Sequence, residues 1–451
     1  MSVIPQSIAY KDSGVQWLGK IPIHWEVRRL ASFGSFSKGG NISRGDLSES
    51  GNSVILYGDI YTKYEIKTSN LKSKVAKDLE SLAPSICKGD ILFAGSGETK
   101  EDIGKAIVYQ GDEKAFAGGD IIILRQVEND SLFLSYSLNS QYAKAFKAVE
   151  SKGEIIVHIY ASNLRDLKIP LPPLKEQQAI ADFLDKKTRQ IEEFIDKKQK
   201  LITLLEEKKQ TLINQCVTQG LDPSTSLKDS GVEWLGKIPT HWEVRKLKLL
   251  FGIGSGLGIT KADFVPSGIP CVSYGEIHSK YPCRLDTGIH PLPYVSEDYL
   301  SSKPQALLKK GDFVFADTSE DIEGSGNFTS LQSDEPVFAG YHTIVLKPKT
   351  QSIHSPYFSF LFDSLGIRNQ VRKEVCGVKV YSITKSILKE VQCLIPPLEE
   401  QKAIAEYLDT QIEKIDLAIR KIKSQINLIK EYKTTLISEA VCGRIGVGGN
   451  V

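Results

Sequence analysis

The sequence predicts an α+β fold with two β-rich globular domains, each followed by a long helix, and with the two helices paired as an antiparallel coiled coil. Three observations carry this prediction. At 451 residues the chain exceeds one ordinary hydrophobic core. One block of sequence occurs twice, and each half of the chain closes with about 42 residues that contain neither Gly nor Pro.

The composition is that of a folded protein without a membrane span. Hydrophobic residues make up 41% of the chain and charged residues 25%, which is ordinary usage. Apolar runs such as Ile121–Leu124 fall far short of the roughly 18 residues that cross a bilayer, and we expect no secretory signal. Seven cysteines without a CxxC pair predict a reduced cytoplasmic protein with no metal site and no cofactor. The net charge of +2 neither requires nor excludes nucleic acid.

A twenty-residue block of sequence occurs twice in the chain. Residues 11–30 read KDSGVQWLGKIPIHWEVRRL and residues 228–247 read KDSGVEWLGKIPTHWEVRKL, so the copies differ at three positions. Each copy holds two of the four tryptophans in the chain. A large amphipathic ring kept twice in one frame indicates a docking anchor. We therefore predict a partner-binding role for Trp17, Trp25, Trp234 and Trp242.

His24 and His241 occupy equivalent positions in the two copies. A role as a ligand or in acid–base chemistry would call for a second histidine or an acidic cluster beside them, and the sequence shows neither. A structural hydrogen bond or a subunit contact is therefore the preferred interpretation.

Shorter matches follow in the same order in both halves. KGD occurs at 88–90 and 310–312, FAG at 116–118 and 338–340, and PPL at 172–174 and 396–398. The offset between copies grows from 217 to 222 and then 224 residues, so insertions separate the matched blocks, as they do in surface loops on a shared scaffold. Short apolar runs at 54–57, 90–93 and 121–124 predict strands.

Residues 175–216 and 399–440 have the apolar spacing of helices. From Ile412 to Ile429 isoleucines alternate by three and four residues, which is the seam of a coiled coil. The proline pairs mark the starts, and Gly220 and Gly443 mark the stops. A coiled coil between two chains is the alternative, but two helices of one pattern in one chain favour intramolecular antiparallel pairing.

These features predict six segments. They are a first β-rich domain at 1–171, a helix at 172–217, a linker at 218–227, a second β-rich domain at 228–395, a helix at 396–442 and a flexible tail at 443–451.

The ordered series resembles the specificity (S) subunits of Type I restriction-modification enzymes over nearly the entire chain. Its most specific parts are SGVxWLGKIPxHWEV at the start of each half and the helix start PPLxEQxAIAxxLD. The latter is written PPLKEQQAIADFLD at 172–185 and PPLEEQKAIAEYLD at 396–409. A single PPL or KGD would carry no weight, but the whole series occurs in order, twice.

The resemblance implies two target-recognition domains related by an approximate twofold axis and held apart by paired spacer helices. In that family each domain reads one half of a split site in double-stranded DNA, and the helices set the gap. The S subunit is non-catalytic. Two methyltransferase (M) subunits bind it and methylate adenine with S-adenosylmethionine, and motor-nuclease (R) subunits join the heteromeric complex.

Side chains that read bases are mainly Arg, Lys, Asn and Gln, with Ser and Thr in support. We expect them in polar segments at 37–46, 62–65 and 95–102, with Lys105 just beyond, and at 254–261, 276–281 and 317–327. Any single member is better explained by a phosphate contact or a solvated loop, so the prediction concerns the set. The predicted DNA-binding residues are Lys38, Asn41, Arg44, Lys63, Tyr64, Thr99, Lys100, Lys105, Thr260, Lys261, His278, Lys280, Thr318, Ser319 and Asn327.

Enzymatic interpretations lack their motifs. No GxxxxGK[ST] phosphate loop occurs, and GETKEDIGKA at 97–106 has the wrong spacing. The glycines of FGIGSGLG at 251–258 do not fit GxGxxG, which favours a flexible DNA-facing loop. The proline pairs lack the acidic or amide residue and the aromatic that adenine methyltransferases place around them. We therefore predict no catalytic residues. A two-headed coiled-coil adaptor without DNA specificity is the alternative.

Overall fold

The computed structural model describes residues 9–375, 377 and 380–446. The chain divides into two compact units, and each unit takes in one β-rich domain with parts of both long helices. Unit 1 comprises residues 1–199 and 423–451, and unit 2 comprises residues 200–422. Among the described residues no helix is both long and apolar enough to cross a membrane.

The described part of the first half contains sixteen strands and five helices, with short 3₁₀ turns at Leu30–Ser32, Arg44–Asp46 and Lys77–Leu82. The elements are β1 (Tyr10–Asp12), β2 (Lys20–Pro22), β3 (Glu26–Arg29), β4 (Ser35–Lys38), β5 (Leu47–Ser48), β6 (Asn52–Ile55), α1 (Tyr57–Thr62), β7 (Lys67–Thr68), β8 (Ser73–Val75), β9 (Ser85–Ile86), β10 (Ile91–Ala94), β11 (Ser96–Gly97), β12 (Ala106–Tyr109), β13 (Ala115–Ala117), β14 (Ile121–Arg125), α2 (Ser131–Leu138), α3 (Gln141–Glu150), β15 (Val157–His158), α4 (Ala161–Leu164), β16 (Lys168–Leu171) and α5 (Leu174–Gln219).

The second half has a similar order, with fifteen strands and seven helices among its described residues and with 3₁₀ turns at Lys261–Asp263 and Pro304–Ala306. The elements are β17 (Leu227–Asp229), β18 (Lys237–Pro239), β19 (Glu243–Lys246), α6 (Leu247–Leu250), β20 (Phe251–Ser255), β21 (Ile269–Val272), α7 (Tyr274–Ser279), β22 (Cys283–Leu285), β23 (Tyr294–Val295), α8 (Tyr299–Ser302), β24 (Leu307–Leu308), β25 (Phe313–Ala316), β26 (Thr318–Ser319), β27 (Phe328–Leu331), β28 (Val337–Ala339), β29 (Thr343–Pro348), α9 (Ser355–Asp363), α10 (Leu365–Glu374), β30 (Tyr381–Ser382), α11 (Lys385–Glu390), β31 (Gln392–Ile395) and α12 (Leu398–Val441).

Unit 1 is built on two five-stranded sheets, ordered β4-β14-β10-β12-β7 and β5-β8-β6-β13-β9. Strand β10 pairs antiparallel with β14, with Ile91 opposite Leu124, whereas β13 runs parallel to β6. The central strands are buried on both faces, because Ile91 and Leu124 face one apolar cluster while Leu92 and Ile123 face another. This double burial explains why their sequences are continuous apolar runs rather than alternating ones.

Unit 2 has the same plan. Its sheets are ordered β20-β29-β25-β27-β22 and β23-β21-β28-β24, and β28 again runs parallel to β21. The core is more aromatic than that of unit 1, with Phe251 and Phe358 in an edge contact at 5.2 Å and Phe313 and Phe362 in another at 5.1 Å. Edge-to-face packing of this kind is the preferred arrangement of aromatic pairs.

The helices α5 and α12 contain 46 and 44 residues and pack together, as predicted. In unit 1 Lys433 Nζ donates to Glu192 Oε1 over 2.7 Å, and in unit 2 Lys209 Nζ donates to Asp416 Oδ1 over 2.9 Å. Since later residues of α5 meet earlier residues of α12, the pairing is antiparallel. Both helices end at the predicted glycine, which adopts the left-handed conformation (φ 76° at Gly220 and 70° at Gly443).

The interpretation of residues 251–258 as one flexible loop was wrong in its first part. Phe251–Ser255 forms β20 and pairs antiparallel with β29, with Gly254 opposite Val345. A Cβ at Gly254 would meet no atom closer than 3.8 Å, so this glycine makes no tight turn. At Gly256, by contrast, a Cβ would lie 2.1 Å from the carbonyl oxygen of Gly340, so only glycine fits.

Candidate nucleic-acid interface

In unit 1 hydrogen bonds join the duplicated block to the start of α5. The indole N–H of Trp25 donates to Glu176 Oε2 over 3.0 Å, and His24 Nε2 lies 2.9 Å from Glu176 Oε1. The adjacent Gln177 is buried, and its amide donates to the carbonyl of Pro172 over 2.9 Å. The EQ of the motif therefore fixes the first turn of the helix to the domain, and the structural hydrogen bond predicted for His24 is confirmed.

Unit 2 repeats this joint at the start of α12. Trp242 donates to Glu400 Oε2 over 2.9 Å, and His241 Nε2 lies 2.7 Å from Glu400 Oε1. Gln401 is fully buried and donates to the carbonyl of Pro396 over 2.9 Å. In each unit the Trp, His, Glu and Gln of the two motifs thus form a hydrogen-bonded joint between the domain and its helix.

The joints change the interpretation of the tryptophans. Trp25 is 2% exposed and Trp242 is 0% exposed, so neither ring offers a surface to a partner, and their predicted role is corrected to an internal one. Trp17 and Trp234 are 49% and 41% exposed. The Trp17 ring packs against the Phe146 ring of α3, with ring centroids 6.0 Å apart. The partner-binding prediction is therefore narrowed to Trp17 and Trp234.

Two of the polar segments of unit 1 that the sequence singled out, 37–46 and 95–102, meet at one turn, residues 118–120. The N–H of Gly40 donates to the carbonyl of Ala117 over 2.9 Å, and that of Gly95 donates to Asp120 over 2.7 Å. A Cβ at Gly97 would lie 2.8 Å from the Tyr61 hydroxyl of α1, so this segment also passes close to that helix. We call residues 38–44, 57–64, 95–105 and 118–120 the first tip.

Most predicted residues of the first tip are exposed. Among the exposed predicted residues, Lys63 pairs with an acid, since its Nζ lies 2.7 Å from Asp59 Oδ1. Within the part of the chain that the structure describes, Lys38, Arg44 and Lys100 have no acidic partner, so their charges are available to an anion. The exposed members are Lys38, Asn41, Arg44, Lys63, Thr99 and Lys100.

The prediction that Tyr64 and Lys105 contact DNA is corrected. Tyr64 is 8% exposed, and its hydroxyl accepts the N–H of Lys72 over 2.8 Å. The ammonium of Lys105 donates to the carbonyl of Tyr64 over 2.7 Å, and burial lowers the pKa of Lys105. Both side chains therefore hold the segment after α1 in place rather than face outward.

The polar segments of unit 2 meet in the same way around residues 340–342. The N–H of Leu257 donates to Ala339 over 2.8 Å, and that of Asp317 donates to His342 over 3.1 Å. The ring of Tyr274 makes an edge contact with the His342 ring at 5.4 Å. We call residues 256–261, 274–280, 317–327 and 340–342 the second tip.

Several predicted residues of the second tip bind one another. His278 Nε2 lies 2.8 Å from the carbonyl of Thr318, and His278 Nδ1 lies 2.9 Å from the amide nitrogen of Asn327. The Asn327 carbonyl oxygen accepts from Arg368 over 2.9 Å. This network orders the second tip, and it occupies groups that were predicted to be free for DNA.

The remaining predicted residues of the second tip differ in exposure. Lys261 and Lys280 are exposed, and the latter lies 3.7 Å from Glu276. Thr260 caps a 3₁₀ turn by accepting the N–H of Ala262 over 3.3 Å. Ser319 is 6% exposed, so the prediction that its hydroxyl contacts DNA is corrected.

The sequence reasoning missed residues that the two turns place at the tips. Asp120 and His342 have φ values of 57° and 53°, the left-handed region that residues other than glycine rarely adopt. His158 and Tyr160 stack at 6.5 Å beside Ser96, whose hydroxyl lies 2.8 Å from His158 Nδ1. One signal was available, because Asp120 and His342 each stand two residues after the repeated FAG.

Comparison with known families gives one match in each half of the chain. The family described as Type I restriction modification DNA specificity domain matches residues 22–204 and again residues 239–428. The two matched ranges cover most of the chain and begin at equivalent points of the duplicated block.

Similar proteins cover almost the whole chain. The Type I restriction enzyme MjaVIII specificity subunit of Methanocaldococcus jannaschii is 27% identical, with 93% of each chain covered. The putative MjaX specificity subunit of the same organism is 28% identical over 93% of this chain and 94% of its own. A solved chain of a type I R-M system has a TM-score of 0.72 at 16% identity, and the match covers 93% of this chain and 98% of that one. The HsdS subunit from Thermoanaerobacter tengcongensis has a TM-score of 0.55 at 16% identity, and the match covers 94% of this chain and 98% of that one. The similarity to these two solved structures shows the fold alone.

Proposed function

Because this chain belongs to the family of Type I restriction-modification DNA specificity proteins, we propose that it is the subunit that selects the DNA sequence for such a complex. Unit 1 reads one half of a split, asymmetric site in double-stranded DNA and unit 2 reads the other. The chain performs no chemistry itself. It lends its specificity to two methyltransferase (M) subunits and to motor-nuclease (R) subunits in the cytoplasm.

The observation that carries the proposal is the convergence of polar segments at each tip. In unit 1 the segments 37–46 and 95–102 meet at the turn after β13, and α1 lies beside the second of them. In unit 2 the segments 254–261 and 317–327 and helix α7 meet at the turn after β28. In the described part of the chain Lys38, Arg44, Lys100 and Lys261 have no acidic partner, and unpaired cations are what phosphate contacts require. The two tips carry different side chains on one frame, which supports two different half-sites.

The length of the helices supports a fixed gap between the half-sites. A helix of 46 residues is roughly 69 Å long at about 1.5 Å per residue. Two recognition modules that read one duplex face must be about one helical turn apart, roughly 34 to 36 Å, or a multiple of it. A rigid pair of helices can hold such a spacing, whereas a flexible linker cannot.

The exposed tryptophans support a docking role in the same complex. Trp17 and Trp234 occupy equivalent positions in the duplicated block and are about half exposed. Equivalent anchors on each half suit two copies of one partner, as two M subunits would be. We propose that these two rings contact the M subunits.

A competition gel shift tests the proposal against the adaptor alternative. The chain with its M subunits is mixed with a library of random duplexes, and the bound fraction is sequenced at two salt concentrations. We expect a split consensus and affinity that falls steeply with salt, because phosphate neutralisation releases counterions. Binding without sequence preference would favour the adaptor, and cleavage or methylation by the chain alone would contradict a non-catalytic role.

A domain exchange locates each reader. Residues 31–168 are replaced by the equivalent residues of another family member, so that both joints stay native. We expect one half of the consensus to change and the other half and the gap to persist. A change in both halves would contradict the assignment of one half-site to each unit.

A further inference from the structure

The turn that ends in His342 holds an exposed side chain in a conformation that costs free energy. His342 has φ 53°, in the left-handed region where a residue with a Cβ is disfavoured by about 1 kcal/mol or more. Its carbonyl accepts the N–H of Asp317 over 3.1 Å, and the next residue, Thr343, pairs with Ala316 in the β25–β29 ladder. The strands on both sides therefore fix this backbone conformation.

Unit 1 has the same turn with a different side chain. Asp120 has φ 57°, its carbonyl accepts the N–H of Gly95 over 2.7 Å, and Ile121 pairs with Ala94. Glycine would adopt this conformation without cost, and both turns already contain glycine one or two residues earlier. Residues held against their backbone preference cluster at functional sites, and here the same position is strained in both units.

The His342 ring is held by its Nδ1 atom. Nδ1 lies 3.2 Å from Asp317 Oδ1 and 3.4 Å from Thr318 Oγ1, and the Thr318 hydroxyl donates to the same carboxylate over 2.7 Å. Tyr274 and Tyr341 make edge contacts with the ring at 5.4 and 6.0 Å. The side chain is nevertheless 58% exposed, so the ring is oriented without being covered.

These contacts determine what the other ring nitrogen can do. A carboxylate only accepts hydrogen bonds, so in the neutral ring the proton lies on Nδ1 and Nε2 is left as an acceptor. Among the residues that the structure describes, none bonds His342 Nε2. In the DNA major groove an acceptor pairs with the amino group of adenine N6 or cytosine N4, whereas a phosphate, which only accepts, gives a neutral Nε2 no bond.

We propose that His342 is a base-reading residue of unit 2, whose Nε2 accepts a hydrogen bond from an adenine or cytosine amino group in the major groove. The inference rests on the proposed function, since it names one reader of the half-site assigned to unit 2. Asp317 and Thr318 are positioning residues that hold the ring. The residue differs from Asp120 at the equivalent place in unit 1, which agrees with different half-sites.

His342→Gly tests the proposal, because glycine keeps the left-handed turn and removes only the imidazole. The full chain is assembled with its M subunits, and bound duplexes from a random library are sequenced. We expect preference at one base position of one half-site to fall about tenfold, the effect of losing one good hydrogen bond to a base. The melting temperature should stay equal or rise, because the strained side chain is gone.

A second variant and a matched control complete the design. His342→Asn also tolerates the left-handed region and carries an amide that pairs best with adenine, so it should favour adenine at that same position and leave the other positions unchanged. Lys310→Ala is the control, because Lys310 is an exposed cation before β25, at the opposite end of that strand from Asp317. Lys310→Ala should leave preference at every position unchanged.

The outcomes separate this inference from the proposed function. If the unmodified complex shows no sequence preference, the proposed function fails. If it selects a split site and His342→Gly selects the same bases equally well, the proposed function stands and the role of His342 is refuted. If His342→Gly weakens binding to all sequences alike, His342 contacts the phosphate backbone, and base reading is refuted.

Discussion

Replacing Glu400 with alanine should destabilise unit 2 far more than replacing a carboxylate that pairs only with a surface lysine, although the Glu400 side chain is itself 41% exposed. Glu400 accepts hydrogen bonds from Trp242 over 2.9 Å and from His241 over 2.7 Å, and Trp242 is 0% exposed. Glu400→Ala removes a bond to a charged acceptor, worth about 1.5 to 3 kcal/mol, and leaves the indole N–H buried without a partner. We expect a loss of about 3 kcal/mol in the free energy of unfolding.

The neighbouring Glu399 is a matched control. It lies in the same first turn of α12, its side chain is 83% exposed, and its partner is Lys402 three residues later. An exposed pair of this kind contributes about 0 to 1 kcal/mol, so Glu399→Ala should be nearly silent. Both carboxylates lie near the helix amino terminus, so the difference between the variants cancels the helix-dipole contribution.

Thermal unfolding followed by circular dichroism measures the difference. For a unit of about 220 residues, about 3 kcal/mol corresponds to a fall of roughly 6 to 12 °C in the Tm of unit 2. Glu400→Gln keeps an acceptor for the indole and should lie between the two alanine variants. Equal Tm values for Glu399→Ala and Glu400→Ala would refute the interpretation of the motif as a structural joint.

Three further predictions concern the helices, a buried lysine and a thiol. Inserting one helical turn before Leu205 should change the permitted gap between half-sites, and an unchanged gap in selected duplexes would contradict the role of the helices as a ruler. Burial, with Lys144 nearby, lowers the pKa of Lys147 to about 7, and Lys147→Met removes this titrating amine. Met also removes the donor to the carbonyls of Gly104 and Leu138, which lie 2.6 and 2.9 Å from Nζ, so the pH dependence of stability is the readout. In the unfolded chain this lysine keeps its proton up to about pH 10.5, so between pH 7 and pH 10 the unfolded state binds more protons than the folded state. The free energy of unfolding of the unmodified chain should therefore rise with pH relative to that of Lys147→Met. A difference that stays constant with pH would argue against a neutral buried amine. Cys87 is exposed whereas Cys393 is buried with a raised pKa, so Cys87→Ser should remove a fast-reacting thiol in titration with an aromatic disulfide, and Cys393→Ser should not.

The large features of the fold were accessible from the sequence because they repeat or follow a helical period. The predicted helix at 175–216 is observed as Leu174–Gln219, and the one at 399–440 as Leu398–Val441. Proline fixes the start and glycine the stop through local backbone geometry, which needs no knowledge of tertiary contacts. Strand β14 at Ile121–Arg125 was accessible for the same reason, as one uninterrupted apolar run.

The errors concern partners that lie far away in sequence. Trp25 and Glu176 are 151 residues apart, and nothing local shows that this ring turns inward while Trp17 in the same block stays exposed. Lys105 looked like a surface residue for the same reason, since its ammonium is held by the carbonyl of Tyr64, 41 residues earlier. The partner of the Tyr64 hydroxyl is nearer, the N–H of Lys72 eight residues later. Composition predicts which residues could contact DNA, but only tertiary packing decides which of them are free to do so.

Duplication and divergence act on different parts of this molecule. The joint residues are the same in both units, because an indole, an imidazole, a carboxylate and an amide must meet within hydrogen-bonding distance for the helix to start at the domain. The turns at the tips share backbone bonds: Gly95 donates to Asp120 in unit 1, and Asp317 donates to His342 in unit 2. A backbone bond tolerates many side chains, so substitutions at Asp120 and His342 leave the frame intact, although Gly95 and Gly256 must stay glycine because a Cβ there would lie 2.8 Å and 2.1 Å from a carbonyl oxygen. Under the proposed function, two recognition surfaces could therefore differ in sequence preference while their attachment to the helices stays the same.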